Sequence, residues 1–191
     1  MSDDAPPRAV PPPAPVVVSI GGGVTVRVRP LEPHDEAVLR YGLEHLSAQS
    51  SYQRFLSIRR SVSDAEVRYL THPDQRHHLA LGAELVGLEH EASRGVGVAR
   101  SIFLPETGDM AEYAVAVADS FQGLGVGKVL LRHLADWALR TGVKRWYSVQ
   151  LAANLAVLRA TSEAATETER RTVADGVIEV FWRLEPPGIK R

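Results

Sequence analysis

The chain has 191 residues, 45% of them apolar and 24% charged, with a formal net charge of −1 and no cysteine. The absence of cysteine excludes disulfides, thiolate metal ligands and thiol nucleophiles, and the near-zero charge gives no electrostatic reason to expect a nucleic-acid partner. No apolar stretch approaches the roughly 18 residues of a membrane helix. Asp3 and Asp4 stand where an export signal would have positive charge, so we expect no such signal. We therefore expect a globular, cytoplasmic protein without a membrane partner.

Proline is concentrated at the N-terminus, where residues 1–15 predict a disordered, extended tail. We expect the folded domain to span 16–185, followed by a short C-terminal tail over 186–191. Two β-branched runs, 16–20 and 24–29, flank three consecutive glycines and predict a β-hairpin.

The next segment predicts helices. Apolar residues at helical spacing favour a helix over 35–45, and a second short helix is predicted over 47–56. Ser63 and Glu66 have the spacing of a capping box, in which each side chain bonds the backbone N–H of the other residue. This pair predicts a helix that starts at Ser63 and continues through Tyr69.

Strands dominate the rest of the chain, with helices between them. Strands are predicted over 78–85, 95–104, 111–117 and 145–151, a hairpin loop over 89–94, and helices over 125–141 and 154–165. Gly142 is expected to end the first of these helices. The last part is ambiguous, because 168–173 and 177–184 could close as a hairpin, or the charged stretch 163–171 could prolong the preceding helix. The pattern predicts an α/β or α+β sheet with helices on its faces.

The segment 111–128 carries the chemical signal. It is predicted to be a strand, a turn, a loop with Gly123, Gly125 and Gly127, and a helix start. Glycines let backbone N–H groups converge on an anion without a Cβ in the way, and a helix N-terminus adds partial positive charge. The expected ligand is a phosphate or a pyrophosphate.

Three phosphate-binding motifs compete for this loop. A P-loop needs four residues between its first glycine and Gly-Lys, followed by Ser or Thr, whereas only three separate Gly123 from Gly127-Lys128 and Val129 follows. The dinucleotide fingerprint Gly-x-Gly-x-x-Gly has a different spacing. The pattern Gln-x-x-Gly-x-Gly is matched in full from Gln122 to Gly127.

With this loop, the sequence resembles the GNAT superfamily of acetyl-CoA-dependent acyltransferases. The resemblance covers about 24–184, and it is closest to the bacterial Pat-type protein lysine acetyltransferase domain. The stretches that carry it, besides the loop, are 26–31, 46–50, 54–55, 97–100 and 111–115. The resemblance implies an α/β (α+β) fold with a mixed, mostly antiparallel central sheet, splayed after the fourth strand, with helices on both faces.

The resemblance also implies the site. Its cofactor-binding residues would be Val115, Ala116 and Val117 beside the pantetheine arm, Gln122, Gly123, Leu124, Gly125, Val126, Gly127 and Lys128 around the pyrophosphate, and Asn154 near the thiol end. Glu112 matches the glutamate that is taken as general base in the Pat type. The implied co-substrate is acetyl-CoA, and no metal is expected.

The chemistry explains why such a reaction needs a base. An amine with a pKa near 10.4 is mostly protonated at pH 7 and cannot attack a thioester until it loses a proton, which a carboxylate can accept. Acyl transfer would be direct, since no cysteine is available for a covalent intermediate. After Asn154 the chain departs from the family, because Thr161 and Ala165-Thr166 stand where a tyrosine general acid and Gly-Phe are often found.

Each candidate also has a purely structural interpretation. Glu112 could be a solvated surface residue, and Asn154 is a plausible helix N-cap as well as a ligand contact. His72, His77 and His78 lie between a helix and a strand without an acidic third ligand in place, so a metal site is not favoured.

The resulting hypothesis is an acetyl-CoA-dependent N-acyltransferase. Its first expected acceptor is a protein lysine, and an acyl-CoA synthetase is one candidate substrate. A small-molecule amine acetyltransferase is the alternative in the same class, and it would favour a closed pocket over an open groove around Glu112. The alternative of a different class is a catalytically inactive acyl-CoA-binding sensor or interaction domain.

Overall fold

The computed structural model describes residues 7–50, 62–87 and 95–186. Within them the strands are β1 Val16–Ser19, β2 Thr25–Pro30, β3 His78–Leu85, β4 Gly95–Phe103, β5 Met110–Val117, β6 Arg145–Leu151, β7 Ala165–Ala174 and β8 Val177–Leu184. The main α-helices of these residues are α1 Glu36–Glu44, α2 Asp64–Thr71, α3 Val126–Thr141 and α4 Leu155–Thr161. The strands form one eight-stranded sheet in the order β1-β2-β3-β4-β5-β6-β8-β7.

The sheet is antiparallel except at one junction. β5 and β6 run parallel, and the other neighbouring pairs are antiparallel. This topology confirms the predicted mixed, mostly antiparallel fold. The splay expected after the fourth strand follows β5, which is the fifth strand of this chain because the short edge strand β1 precedes the others.

Helices cover both faces of the sheet near β4. The pairing of β4 with β3 shifts by one residue between Gly95 and Gly97, which is a β-bulge. Cβ atoms added at these two glycines would therefore lie on opposite faces of the sheet. A Cβ atom at Gly95 would lie 2.5 Å from Val38 of α1, and one at Gly97 would lie 2.9 Å from Val126 of α3. α1 and α3 therefore pack closely on opposite faces of the same strand.

The main core lies between the sheet and α3. Leu130, Leu134 and Trp137 recur at helical spacing along α3 and are fully buried, as is Trp146 of β6. Gly142 ends α3 in the left-handed conformation with φ of 102°, as the sequence predicts. Among the described residues, no helix combines the length and the apolar character that spanning a membrane requires.

Local sequence signals predicted most of the early elements. β1 and β2 form the expected hairpin, and Ser63 and Glu66 form the expected capping box at the start of α2. The helix predicted over 47–56 extends beyond the described residues after position 50, and the predicted loop over 89–94 lies outside them.

The C-terminal part decides between the two open predictions. α4 ends at Thr161 rather than at 165, and Ala165 already begins β7, which pairs with β8 as a hairpin. Charged residues pair along β7, as Arg170 does with Glu167 at 2.6 Å. A charged edge strand and a solvated helix have the same composition, so the composition of this stretch did not distinguish them.

The N-terminal segment lies against the domain. Residues 7–15 contain no helix or strand. However, the Arg8 N–H donates a hydrogen bond to the Thr141 carbonyl at 2.7 Å, and Val10 packs against the core. The prediction of a disordered tail over 1–15 is therefore corrected for residues 7–10, and the other domain boundaries stay predictions.

Candidate active site

β5 and β6 separate soon after they begin. Their parallel pairing runs from Met110–Arg145 only as far as Glu112–Tyr147, whereas β5 stays paired with β4 up to Val117. Among the described residues, the second half of β5 therefore has no strand partner on its β6 side. A cavity of about 700 Å³ opens at this gap.

The cavity brings together the residues that the sequence assigns to the cofactor and to catalysis. Those that line it are Glu112, Val115, Ala116, Val117, Gln122, Gly123, Gly125, Val126, Gly127, Lys128 and Asn154. Leu124 is the exception, since its carbonyl oxygen accepts a 2.9 Å hydrogen bond from the Gly21 N–H in the β1–β2 turn. Sequence reasoning missed Tyr113, Arg159 and Glu163, which also line the cavity.

The glycine loop presents free backbone amides to the cavity. Gly123 and Gly125 adopt left-handed φ angles of 76° and 98°, which glycine accommodates without steric cost. α3 starts directly after Gly125 without a side-chain cap. Within the described part of the chain, no backbone N–H from Gly123 to Lys128 has a protein acceptor in hydrogen-bonding geometry. Such amides, together with the positive end of the helix dipole, suit a phosphate group.

A polar network supports the base of this loop. The Asp119 carboxylate accepts hydrogen bonds from the Ser47 N–H at 2.8 Å and from the Ser47 and Ser50 hydroxyls. Burial raises the pKa of Asp119, but the hydrogen bonds from Ser50 and Ser47 outweigh it and leave the pKa below the usual aspartate value. The Gln122 side-chain amide donates to Ser50 Oγ at 2.9 Å and to the Val117 carbonyl at 3.2 Å. Gln122 therefore braces the loop rather than presenting a free amide to an anion.

Comparison with known proteins identifies the family. The model of the Acetyltransferase (GNAT) family matches residues 52–161. The chain belongs to the GNAT acetyltransferase family. An acetyltransferase of Pseudomonas aeruginosa is 38% identical to this GNAT protein over 143 residues, which make up 74% of each chain.

Solved structures have the same GNAT fold. The GNAT domain of S. lividans Pat is 28% identical, with a TM-score of 0.77, and the alignment covers 90% of this chain and 99% of that one. The protein yncA of Salmonella typhimurium, solved with its cofactor acetyl-CoA, is 18% identical with a TM-score of 0.61, and the alignment covers 87% of this chain and 96% of that one. At 18% identity, the similarity to yncA shows a shared fold alone. One structural neighbour of this GNAT protein has thus been solved with acetyl-CoA bound.

Glu112 lies at the start of the gap and is exposed. It stands opposite Tyr147 across the β5–β6 junction, and the Tyr147 hydroxyl donates a 2.8 Å hydrogen bond to Glu179. Burial and the carboxylate of Glu179 raise the pKa of Tyr147 to about 12, and the charge of Glu112 adds to the effect. Tyr147 is therefore protonated at neutral pH, and the catalytic role of Glu112 stays a prediction.

Asn154 lies at the start of α4, on the other side of the gap. Its side-chain oxygen accepts a hydrogen bond from the Val157 N–H at 3.4 Å, and the residue is buried while lining the cavity. The interpretation of Asn154 as an N-cap is confirmed. Its contact with the co-substrate stays a prediction.

Thr161 occupies the position at which GNAT proteins often have a tyrosine. Its hydroxyl donates to the Val157 carbonyl at 2.9 Å and lies 2.9 Å from the hydroxyl of Tyr113. Burial raises the pKa of Tyr113, against the lowering effect of the hydroxyls around it. A tyrosine hydroxyl therefore does contact α4, but this tyrosine is Tyr113 of β5.

His77, just before β3, and His78, the first residue of β3, have structural partners. The ring of His77 lies 3.0 Å from the Asp74 carboxylate, and His78 is buried beside Arg100 at 3.2 Å. In residues 7–50, 62–87 and 95–186, no three His, Asp or Glu side chains converge as metal ligands would.

Proposed function

We propose that this GNAT protein binds acetyl-CoA in the gap between β5 and β6 and transfers the acetyl group to an amine. The observation that supports this most strongly is the run of unpaired amides from Gly123 to Lys128 at the uncapped start of α3. Amides at a helix N-terminus bind phosphate groups, so the pyrophosphate of the co-substrate would lie there. No strand of the described ranges pairs with the backbone of 115–117 on the β6 side. This backbone would hold the pantetheine arm as it would hold an added strand.

In the proposed reaction, the amine nitrogen attacks the thioester carbonyl carbon. The amine must first lose a proton, which the Glu112 carboxylate accepts directly or through a water molecule. A backbone N–H at the gap stabilises the negative charge that develops on the carbonyl oxygen. The carbon–sulfur bond then breaks, the nitrogen gives up its second proton, which reaches the departing CoA thiolate through a water molecule, and the acetyl group stays on nitrogen as an amide.

The acceptor we propose is a lysine side chain on another protein, such as an acyl-CoA synthetase. Glu112 is exposed, and Val149 on the neighbouring strand β6 is 40% exposed. A long amine-bearing side chain could therefore reach Glu112 across this part of the sheet, whereas a small amine would favour a closed pocket. With acetyl-CoA as the donor, we propose that the reaction takes place in the cytoplasm.

Two linked measurements test the proposal. At 100 times its dissociation constant, acetyl-CoA is expected to raise the free energy of unfolding by about 2.7 kcal/mol, which a thermal-shift titration detects. A CoA-release assay across a panel of proteins and small amines then identifies the acceptor. No thermal shift would contradict the binding site. Stabilisation without release of CoA towards any amine would contradict catalysis and favour a sensor domain, and release with small amines alone would contradict a lysine acceptor.

A further inference from the structure

The charged residues that line the cavity do not have equivalent surroundings. Among the described residues they are Glu112, Lys128, Arg159 and Glu163. The Lys128 ammonium lies 2.9 Å from the Glu163 carboxylate, so these two charges form an ion pair. The Arg159 side chain is exposed and has no hydrogen-bond or ion-pair partner among the described residues. Arg159 is therefore the one cation of the cavity lining, in this part of the chain, whose charge no carboxylate balances.

The ion pair also indicates at which end of the cavity Arg159 lies. Lys128 is in the first turn of α3, beside the glycine loop, and Glu163 follows the end of α4. Arg159 is in the last turn of α4, four residues before Glu163, so it lies near the same end of the cavity as the free loop amides. At this end an anionic ligand can reach both the amides and a guanidinium.

We propose that Arg159 binds the 3′-phosphate of CoA and makes the protein selective for CoA over its dephosphorylated form. This inference rests on the proposed function, which accounts for the two phosphates of the pyrophosphate through backbone amides but leaves the separate 3′-phosphate of the ribose without a partner. A phosphomonoester carries nearly two negative charges at pH 7. The planar guanidinium matches it with two parallel N–H donors, as arginine does when it recognises the 2′-phosphate of NADP. Lys128 cannot take this part while Glu163 neutralises it.

The test compares two ligands on two variants. Dissociation constants for acetyl-CoA and for acetyl-dephospho-CoA are measured by calorimetry on the full chain at low salt. We expect the wild type to bind acetyl-CoA roughly 10 to 100 times more tightly than the dephosphorylated form, the range that a charge-assisted hydrogen bond provides. Arg159→Ala should bring this ratio close to one and leave the affinity for acetyl-dephospho-CoA unchanged. Arg159→Lys should restore part of the ratio, because it keeps the charge without the paired donors.

Arg132→Ala is the matched control. Arg132 is an exposed arginine on α3 that does not line the cavity, and its loss changes the net charge equally. The ratio should survive in this variant, and in the wild type it should shrink as salt rises. A ratio near one in the wild type, or a full ratio in Arg159→Ala, would overturn the assignment of Arg159 while leaving the proposed function intact. Failure of the wild type to bind either ligand would overturn both.

Discussion

The backbone N–H of Gly21 donates a 2.9 Å hydrogen bond to the carbonyl oxygen of Leu124. Gly21 lies in the β1–β2 turn, and Leu124 is the one loop residue between Gln122 and Lys128 that does not line the cavity. The N-terminal hairpin therefore supports the glycine loop from outside. It does so from a part of the chain that precedes the family match at residues 52–161.

We expect Gly21→Ala to weaken acetyl-CoA binding several-fold while changing the stability of the fold little. An added Cβ would lie 3.2 Å from the Leu124 carbonyl oxygen and 3.3 Å from its Cα atom, so the loop would have to shift by a few tenths of an ångström. Gly42→Ala is the control, because a Cβ there meets nothing within 4 Å. The dissociation constant and the melting temperature are measured for both variants. Unchanged affinity in Gly21→Ala would show that the hairpin does not position the loop.

Gly125→Ala is expected to lower both stability and co-substrate affinity. Gly125 precedes α3 with φ of 98°, a conformation that costs an L-residue roughly 1–2 kcal/mol. Relaxation of this strain would turn the first amides of α3 away from the cavity. Urea unfolding and calorimetry measure the two effects.

Gly127→Ala is the matched control for that substitution. Gly127 has ordinary helical geometry, and an added Cβ would make only normal contacts, the nearest at 3.6 Å to Val117. Alanine should therefore leave stability unchanged or raise it by up to about 1 kcal/mol. Equal losses in the two variants would mean that added volume, rather than the left-handed backbone, disturbs the loop.

Local signals were sufficient to predict the loop and most of the elements. The glycine spacing after β5, the Ser63–Glu66 capping box and the C-terminal Gly142 each act within a few residues, so the sequence displays them directly. The predicted end of α4 at 165 was wrong, since the helix ends at Thr161. The charged stretch that follows is as typical of a solvated helix as of the edge strand that it forms.

The missed parts of the site depend on contacts between distant residues. Arg159 and Glu163 reach the cavity only because α4 packs beside α3, and the sequence shows no sign of that packing. Likewise, Tyr113 meets Thr161 across 48 positions of the chain. The charged residues after Asn154 were the only sequence signal for Arg159 and Glu163 as part of the site, and such charges are equally typical of a solvated surface.

Glu112→Gln is expected to lower turnover by about 10² or more and to leave acetyl-CoA affinity nearly unchanged. The amide keeps the size of the side chain but cannot accept a proton from the attacking amine at neutral pH. CoA release is measured with the best acceptor of the panel, and binding by calorimetry. Glu106→Gln, outside the cavity lining, is the control and should retain full turnover. Full turnover in Glu112→Gln would remove Glu112 from the mechanism.

The burial of His78 predicts that the free energy of unfolding falls at acidic pH. The residue is 7% exposed, and its ring lies 5.1 Å from that of Tyr69 and 3.2 Å from the Arg100 guanidinium. Burial, and then the charge of Arg100, lower the pKa of His78 to about 4, against a smaller raising effect of Asp74. His78 is therefore neutral in the folded protein at a pH where the unfolded chain, with a histidine pKa near 6.5, is already protonated.

We expect the free energy of unfolding to fall as pH decreases from about 6.5 to 4, with His78 contributing about 3 kcal/mol of the loss. The sign follows because the unfolded state binds more protons than the folded state in this range. Urea unfolding at a series of pH values measures the slope, which should be shallower in His78→Gln even if that variant is less stable throughout. Equal slopes in the wild type and His78→Gln would assign the acid sensitivity to other groups, of which the partly buried His133, with its pKa lowered by burial, is the next to substitute.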